Sequence, residues 1–173
     1  MRLSNYAAAS LVFLLNGAAS AAVAAKTEII MDKEFSVFLE QFREGTQRFM
    51  NGDTALWKKN VSQSAETMIM GAWGAYEKGW PEVSKRYDWA GARFVNSDAV
   101  LNVEYLASEV SGDLAYTVAI ERAMVKLAGK NAAAPMALRV THVFRRENGT
   151  WKLMLRHADP LMNKTEPEAT LLK

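Results

Sequence analysis

The spacing of apolar residues predicts helices in the first part of the chain. Between residues 32 and 50, apolar side chains recur at spacings of three, four and seven, which is the pattern of an amphipathic helix. These side chains are Phe35, Phe38, Leu39, Phe42 and Phe49. Asp32 is a candidate N-cap for this helix. A short second helix is predicted from Asp53 to about Asn60, and a third, with Pro81 in its first turn, continues to about Phe94.

From about residue 99 onwards the pattern changes to long runs rich in β-branched and aromatic residues. Turn-forming residues divide these runs into four predicted strands. The strands are Ala99–Val110, Leu114–Leu127, Ala137–Arg146 and Trp151–Asp159. A shorter strand is predicted at Thr67–Gly71, followed by a loop to Gly79. Helices followed by an antiparallel meander predict a single domain of the α+β class.

The first 25 residues differ from the rest and have the layout of a secretory signal peptide. Arg2 supplies the positive charge, Ala7 to Leu15 is an apolar run, and small residues follow up to Ala25. We therefore expect this segment to be removed on export. Cleavage after Ala25 leaves residues 26–173 as the mature domain, and cleavage after Ala22 or Ala24 is the alternative. The apolar run is too short for a membrane anchor. An exported protein is predicted, which would be periplasmic in a host with two membranes.

Composition and charge exclude several functional classes. The 173 residues carry a formal net charge of +2 without a basic run, which gives no electrostatic footprint for nucleic acid. The absence of cysteine excludes disulfides and thiolate chemistry. The two histidines lack the helical spacing of a zinc site. We expect neither a metal nor another cofactor.

Five segments of the predicted domain carry a resemblance to a known family. They are Glu77–Val83, Ser111–Tyr116, Arg139–Arg145, Trp151–Leu153 and Arg156–Asp159. Together with the order of helices and strands, they resemble the SnoaL-like branch of the nuclear-transport-factor-two-like cone fold, which also includes ketosteroid isomerase homologues. The resemblance covers about residues 33 to 162. It implies three helices packed in a curved, mainly antiparallel sheet, a conical pocket, and dimerisation through the outer sheet face.

Both histidines lie on the last predicted hairpin, His142 on one strand and His157 on the other. The turn decides which side chains face the pocket, because a slip of one residue exchanges the two faces of a strand. A three-residue loop at Glu147–Gly149 would place Met154 opposite His142, with Arg156 on the diagonal. A two-residue turn would instead place His142 on the face that carries His157.

We favour the three-residue loop, because the family's cavity positions then fall on one consistent set of side chains. These are Val140, His142, Met154, Arg156 and Ala158. The buried acid of ketosteroid isomerase falls near Val140, which is apolar, so a steroid isomerase mechanism is not predicted. On the preceding strand small residues surround Glu121, as in a cavity wall. Aromatic candidates for the lining are Trp57, Trp73, Tyr76 and Tyr105.

Glu121, His142 and Arg156 are the candidate catalytic residues. In an enzyme, His142 or Glu121 would act as the base and Arg156 would stabilise an enolate, in cofactor-free proton transfer or hydration. In the other interpretation the three form a satisfied structural network, because a buried charge has to be paired. A carboxylate beside His142 should raise the pKa of His142.

The leading hypothesis is an exported SnoaL-like protein that binds a small, largely apolar ligand in its cone. Cofactor-free proton transfer of the isomerase or hydratase kind is the activity expected if the protein is an enzyme. The alternative is a non-catalytic dimerisation or association module with a vestigial pocket. In either case a homodimer would form through the outer sheet face. The predicted contact row is Val143, Leu153 and Leu155, which is too apolar to face water on an open sheet.

Overall fold

The computed structural model describes residues 32–171. The helices are α1 (Lys33–Phe49), α2 (Ala55–Lys59) and α3 (Trp80–Gly91), with a short 3₁₀ turn at Pro167–Thr170. The strands are β1 (Met68–Met70), β2 (Tyr76–Lys78), β3 (Phe94–Val95), β4 (Asn102–Ser111), β5 (Leu114–Leu127), β6 (Ala134–Glu147) and β7 (Thr150–Pro160). The expected signal peptide lies outside the described residues. None of the helices in this part of the chain is long and apolar enough to cross a membrane.

Helix α1 begins where its sequence predicts. The Asp32 carboxylate accepts a hydrogen bond from the Phe35 amide at 3.0 Å, which satisfies a backbone donor of the first turn. The apolar side of the helix is buried against the sheet, where Phe35 packs edge-on against Phe144 and Trp151 at 5.3 and 5.2 Å between ring centroids. Full burial of such a ring stabilises the fold by roughly 1.5–3 kcal/mol. The predicted first helix is confirmed.

Seven strands form one sheet in the described part of the chain, in the order β2-β1-β7-β6-β5-β3, with β4 also paired to β5. All pairs are antiparallel except β1 with β7. The predicted α+β class and the four long strands are confirmed. Strands β2 and β3 were not predicted, because runs of three and two residues show no period.

The turn between β6 and β7 contains two residues, Asn148 and Gly149. Glu147 pairs directly with Thr150, so no third residue is left for the loop. Both turn residues have positive φ, 49° and 77°, as a two-residue hairpin turn of type I′ requires. The predicted three-residue loop is therefore wrong.

A β-bulge at Met154 corrects the register that this turn would otherwise impose. Met154 is an extra residue on β7, so that Met154 and Leu155 together oppose Val143. Beyond the bulge, His142 pairs directly with Arg156. The two side chains therefore share the inner face, as predicted, although Arg156 lies opposite His142 and not on the diagonal.

The two-residue turn and the bulge each overturn one predicted position on β7. Leu153, placed on the outer face by the sequence pattern, pairs with Phe144, is fully buried and belongs to the core. Met154, placed in the cavity, is half-buried and lies at the bulge. Val143 and Leu155 are half-buried on the outer face, where they were predicted.

A second bulge, at Leu106, interrupts the pairing of β4 with β5. Bulges bend a strand and increase its twist. With one bulge near each side of the long meander, the sheet curls around α1 and α3, and the inner face of β5 is buried. Its inward residues are Ala115, Thr117, Ala119, Glu121 and Ala123, as predicted.

Candidate functional site

Three adjacent strands bring one acid, one histidine and one arginine together on the inner face. Glu121 lies on β5, His142 on β6 and Arg156 on β7, and all three are at most 8 % exposed. Arg156 donates from Nη1 to Glu121 Oε1 at 3.1 Å and from Nη2 to Oε2 at 2.7 Å. Such a bidentate pair fixes both planes and is stronger than a pair between neutral groups.

The hydrogen bonds of His142 determine its tautomer. Arg156 Nη1 lies 2.6 Å from His142 Nε2, and because a guanidinium has no acceptor, Nε2 must accept this hydrogen bond. The proton of the neutral ring then resides on Nδ1, which donates to Thr117 Oγ1 at 3.4 Å. His142 is thus neutral, and its lone pair is occupied.

The environment of the ring agrees with this assignment. Burial lowers the pKa of His142 well below 6.5, and the positive charge of Arg156 lowers it further. Phe42 and Phe144 pack against the ring at 5.0 and 5.6 Å between centroids. The expected rise in the pKa of His142 is therefore wrong, because burial lowers this pKa and the charged group in contact with the ring is Arg156 and not Glu121.

This shift predicts a loss of stability on acidification. Because the folded-state pKa of His142 lies below its unfolded value near 6.5, the unfolded chain takes up a proton first as the pH falls. Above pH 6.5 the titration of His142 does not lower the free energy of unfolding. Below it, the free energy of unfolding falls by at most about 1.4 kcal/mol per pH unit, until the folded-state pKa is reached. Urea unfolding between roughly pH 7.5 and 5 should show this slope.

The substitution His142→Gln should flatten the slope, because glutamine can accept from Arg156 but does not titrate. The matched control is His157→Gln, since the His157 side chain is about half exposed and its one charged neighbour among residues 32–171 is Asp159, at 3.3 Å. A slope that persists in His142→Gln and disappears in His157→Gln would contradict the assignment.

An apolar cavity of about 80 Å³ lies beside this cluster, between the helices and strands β6 and β7. Its wall includes Phe49, Trp57, Ile69, Trp73, Phe94 and Leu138. Arg156 and Tyr87 are among its few polar lining residues. A cavity this size, near half of one that binds benzene, accommodates a small organic group or a few water molecules.

Three residues that line this cavity, Arg156, Tyr87 and Trp57, carry buried hydrogen-bond donors without acceptors. Arg156 has five N–H groups, of which Glu121 and His142 occupy three. The other two have no acceptor among residues 32–171. The Tyr87 hydroxyl and the Trp57 indole nitrogen also have no hydrogen-bond partner there. The Trp57 N–H lies close enough to Tyr87 to lower its pKa, but the geometry falls short of a hydrogen bond.

The charge of this site is already balanced. The positive charge of Arg156 is paired with Glu121 at 2.7 Å. Arg86, the other charged residue in the lining, lies 3.7 Å from Glu77. Burial raises the pKa of Tyr87 above 10, against the lowering effect of Arg156, so its hydroxyl keeps its proton and can donate. The site therefore offers donors without net charge, which suits the acceptor oxygen of a neutral molecule.

The other residues predicted to bind ligand are placed as follows. Trp57, Trp73 and Ala158 line the cavity. Val140 is buried in a cluster with Leu138 and Ala158 behind the cavity wall. Tyr105 lines a separate space of about 10 Å³ on the other side of Glu121 and His142. Tyr76 is 68 % exposed on β2 and does not line the cavity, so its predicted position is wrong.

Tyr87 is the residue that the sequence did not identify as part of the site. It follows Val83 by four positions on the apolar side of α3, and this spacing is that of any core residue on a helix. Only the unpartnered hydroxyl distinguishes it. Within residues 32–171, no group of three or more histidine, aspartate and glutamate side chains could hold a metal ion.

The arrangement is better suited to donating hydrogen bonds than to removing protons. The lone pair of His142 Nε2 is occupied by Arg156, and both oxygens of Glu121 accept from the same guanidinium. A general base needs a free lone pair within hydrogen-bond reach of its substrate. His142 has none in this geometry, and although each oxygen of Glu121 keeps a second lone pair, Glu121 does not line the cavity.

Comparison with solved structures identifies the fold. A nuclear transport factor 2 (NTF2-like) superfamily protein from Salmonella enterica matches with a TM-score of 0.62 and 20 % identity, over 78 % of this chain and 98 % of that one. A ketosteroid isomerase-like protein from Erwinia carotovora atroseptica matches with a TM-score of 0.61 and 13 % identity, over 75 % and 95 %. An NTF2-like family protein from Streptomyces avermitilis gives 0.60 and 20 %, over 75 % and 95 %.

No protein-family model matches the sequence, and the search of curated proteins found no match. At these identities the structural likeness establishes the fold and not an activity. The curled sheet with few helices is consistent with this fold. The chain therefore has the NTF2-like cone fold, in the form shared with ketosteroid isomerase-like proteins.

Proposed function

We propose that the protein binds a small, largely apolar, neutral molecule in the cavity and holds its acceptor oxygen with Arg156 and Tyr87. The observation that carries this proposal is the set of buried donors without acceptors beside an apolar wall. Buried polar groups are hydrogen-bonded in nearly all proteins, so unpartnered donors at a cavity suggest a missing partner. A carbonyl oxygen is the simplest group that accepts two such bonds.

Binding, and not proton transfer, is the activity that we propose. Arg156 holds both residues that would act as bases, Glu121 and His142, and His142 also donates to Thr117. A buried hydrogen-bond network of this kind rigidifies its surroundings. Its role in the proposal is to hold the guanidinium of Arg156 in place, with two N–H groups left for the ligand.

The test uses butan-2-one and its isostere 2-methylbut-1-ene, which lacks the oxygen, with binding followed by NMR. Tyr87→Phe removes one donor and should weaken butan-2-one binding about two- to tenfold, but should not weaken binding of the alkene. It should also leave the free protein equally stable or more stable, by up to about 1 kcal/mol, because an unpaired buried hydroxyl is costly.

The control for this test is Tyr105→Phe, since Tyr105 does not line the cavity. Its butan-2-one affinity should equal that of the wild type. If folded Tyr87→Phe protein binds butan-2-one as tightly as the wild type, the hydroxyl does not hold the ligand. If Tyr87→Phe instead costs more than about 1 kcal/mol of stability, the hydroxyl has a partner of its own.

We propose, as a second candidate property, that the protein forms a homodimer through the outer sheet face. Tyr116, Val143 and Leu155 form a row across β5, β6 and β7 on that face, and each side chain is partly exposed. An apolar row on an exposed sheet is typical of a protein interface. Sedimentation velocity should give twice the chain mass for the wild type and a monomer for Leu155→Arg.

A further inference from the structure

The cavity shares one wall with a larger cleft that opens to the surface. This cleft, of about 600 Å³, lies beside the loop between β5 and β6. Four residues line both spaces: Ala72, Trp73, Met136 and Leu138. The cavity and the cleft are therefore neighbours, separated by a layer of side chains.

One part of this wall is carried by a loop. Trp73 lies between β1 and β2, 42 % exposed, and packs on Phe94 and Trp89 at 5.3 and 5.8 Å between ring centroids. The loop backbone is held to α3 by one hydrogen bond, from Arg86 Nη2 to the Gly74 carbonyl at 2.8 Å. No strand pairing fixes Trp73, so a rotation of its side chain would join the two spaces at little cost in sheet structure.

The chemistry of the two spaces differs. The lining of the cavity includes Arg156 and Tyr87, which carry unpaired donors, whereas the cleft has a mainly aliphatic lining. Its aliphatic residues include Val125, Leu127, Pro135, Pro160 and Leu161. Lys130 is the only charged residue among the described residues that line it. From the inside outwards, a ligand would thus meet hydrogen-bond donors first, then the apolar wall of the cavity, and finally the aliphatic cleft.

We propose that the natural ligand is an elongated neutral amphiphile, with a carbonyl head in the cavity and an unbranched alkyl tail that passes Trp73 into the cleft. This inference rests on the proposed function and specifies its ligand class. A head group without charge is favoured because both arginines that line the cavity already face an acid. Arg156 is paired with Glu121, and Arg86 lies 3.7 Å from Glu77, so an anion would be buried without a free countercharge. An alkyl tail is favoured because the cleft offers aliphatic contacts and few polar partners.

The test is a series of linear 2-alkanones from butan-2-one to nonan-2-one, with dissociation constants measured by NMR and by tryptophan fluorescence. If the tail enters the cleft, affinity should rise about three- to fourfold for each added methylene. If the ligand is confined to the cavity, affinity should stop rising, or fall, once the chain exceeds the space available.

Variants at the cleft distinguish the contribution of the alkyl tail to affinity from that of the carbonyl head. Leu161→Asp places a charge in the cleft at a residue that is 41 % exposed and outside the strands, so the fold should be kept. It should weaken nonan-2-one at least tenfold and leave butan-2-one unchanged. Val100→Asp is the control, because Val100 is 70 % exposed and lines neither space. It should change neither affinity.

The outcomes distinguish the two proposals. If no member of the series binds, the proposed function fails, and the ligand class fails with it. If butan-2-one binds but affinity does not increase with chain length, only the elongated ligand is refuted. If nonan-2-one binds and Tyr87→Phe does not weaken it, the head does not occupy the cavity, and the placement proposed here is overturned.

Discussion

Glu121→Gln should lower the free energy of unfolding by about 3–5 kcal/mol. The substitution keeps the shape of the side chain but leaves the buried guanidinium of Arg156 without a countercharge. Breaking one side of a buried pair is costly because the remaining charge stays desolvated. Urea unfolding at pH 7.5, where His142 is neutral in both states, measures the effect without interference from its titration.

Two controls define what this loss means. Glu104→Gln removes the acid of an ion pair with Arg122 whose N···O distance is 2.8 Å and whose side chains are about half exposed. Exposed pairs contribute little, so the loss should be below about 1 kcal/mol. The double substitution Glu121→Met with Arg156→Met removes both buried charges and should recover part of the stability, because His142 Nε2 is then left without its donor at a cost of about 1–3 kcal/mol. If Glu121→Gln costs no more than Glu104→Gln, the pair is not desolvated as the geometry indicates.

Leu153→Arg should prevent folding or cost more than about 4 kcal/mol, because it buries an unpaired charge in the centre of the core. Leu153 is fully buried and packs with the aromatic residues of α1. Leu155→Arg, only two residues away, should fold, because Leu155 lies on the outer face beyond the bulge. Circular dichroism and thermal unfolding of the two proteins distinguish them.

This pair of substitutions tests the register of the hairpin as well as the core. In a hairpin without the bulge, residues 153 and 155 would share a face, and both substitutions would have similar effects. Similar behaviour of the two proteins would therefore contradict the bulge. If Leu153→Arg folds and Leu155→Arg does not, Leu153 lies on the outer face and Leu155 in the core, which is the reverse of the assignment made here.

The sequence analysis placed His142 and Arg156 on the same face correctly, but it did so from an incorrect turn length. The predicted loop was one residue too long, and the bulge at Met154 adds that residue back within the strand. The overlong loop and the missed bulge therefore compensate for each other after Met154, so that Arg156 was placed on the correct face. Between the turn and the bulge they do not, and Leu153 faces the core instead of the outer face. No periodicity could reveal the bulge, because residues 153 to 155 are all large and apolar and fit either face.

The fold was easier to predict than the site. The spacing of the phenylalanines is enough to predict helix α1, and the composition of the long strands is enough to predict them. The site depends on details that sequence does not encode locally. Tyr76 was selected as aromatic although its loop has no period to orient it. Tyr87 has a clear period, but its unpaired hydroxyl becomes visible only when the neighbours are placed around it.

The bulge at Met154 also determines how homologous chains should be aligned with this one. A homologue with the same two-residue turn and no bulge has one residue fewer between the turn and the position equivalent to Arg156. Alignment without a gap would then match Arg156 to a neighbour on the convex face and transfer its role to the wrong side chain. A one-residue gap at Met154 restores the correspondence. Evolution can likewise gain or lose one residue at this point while Arg156 remains opposite His142.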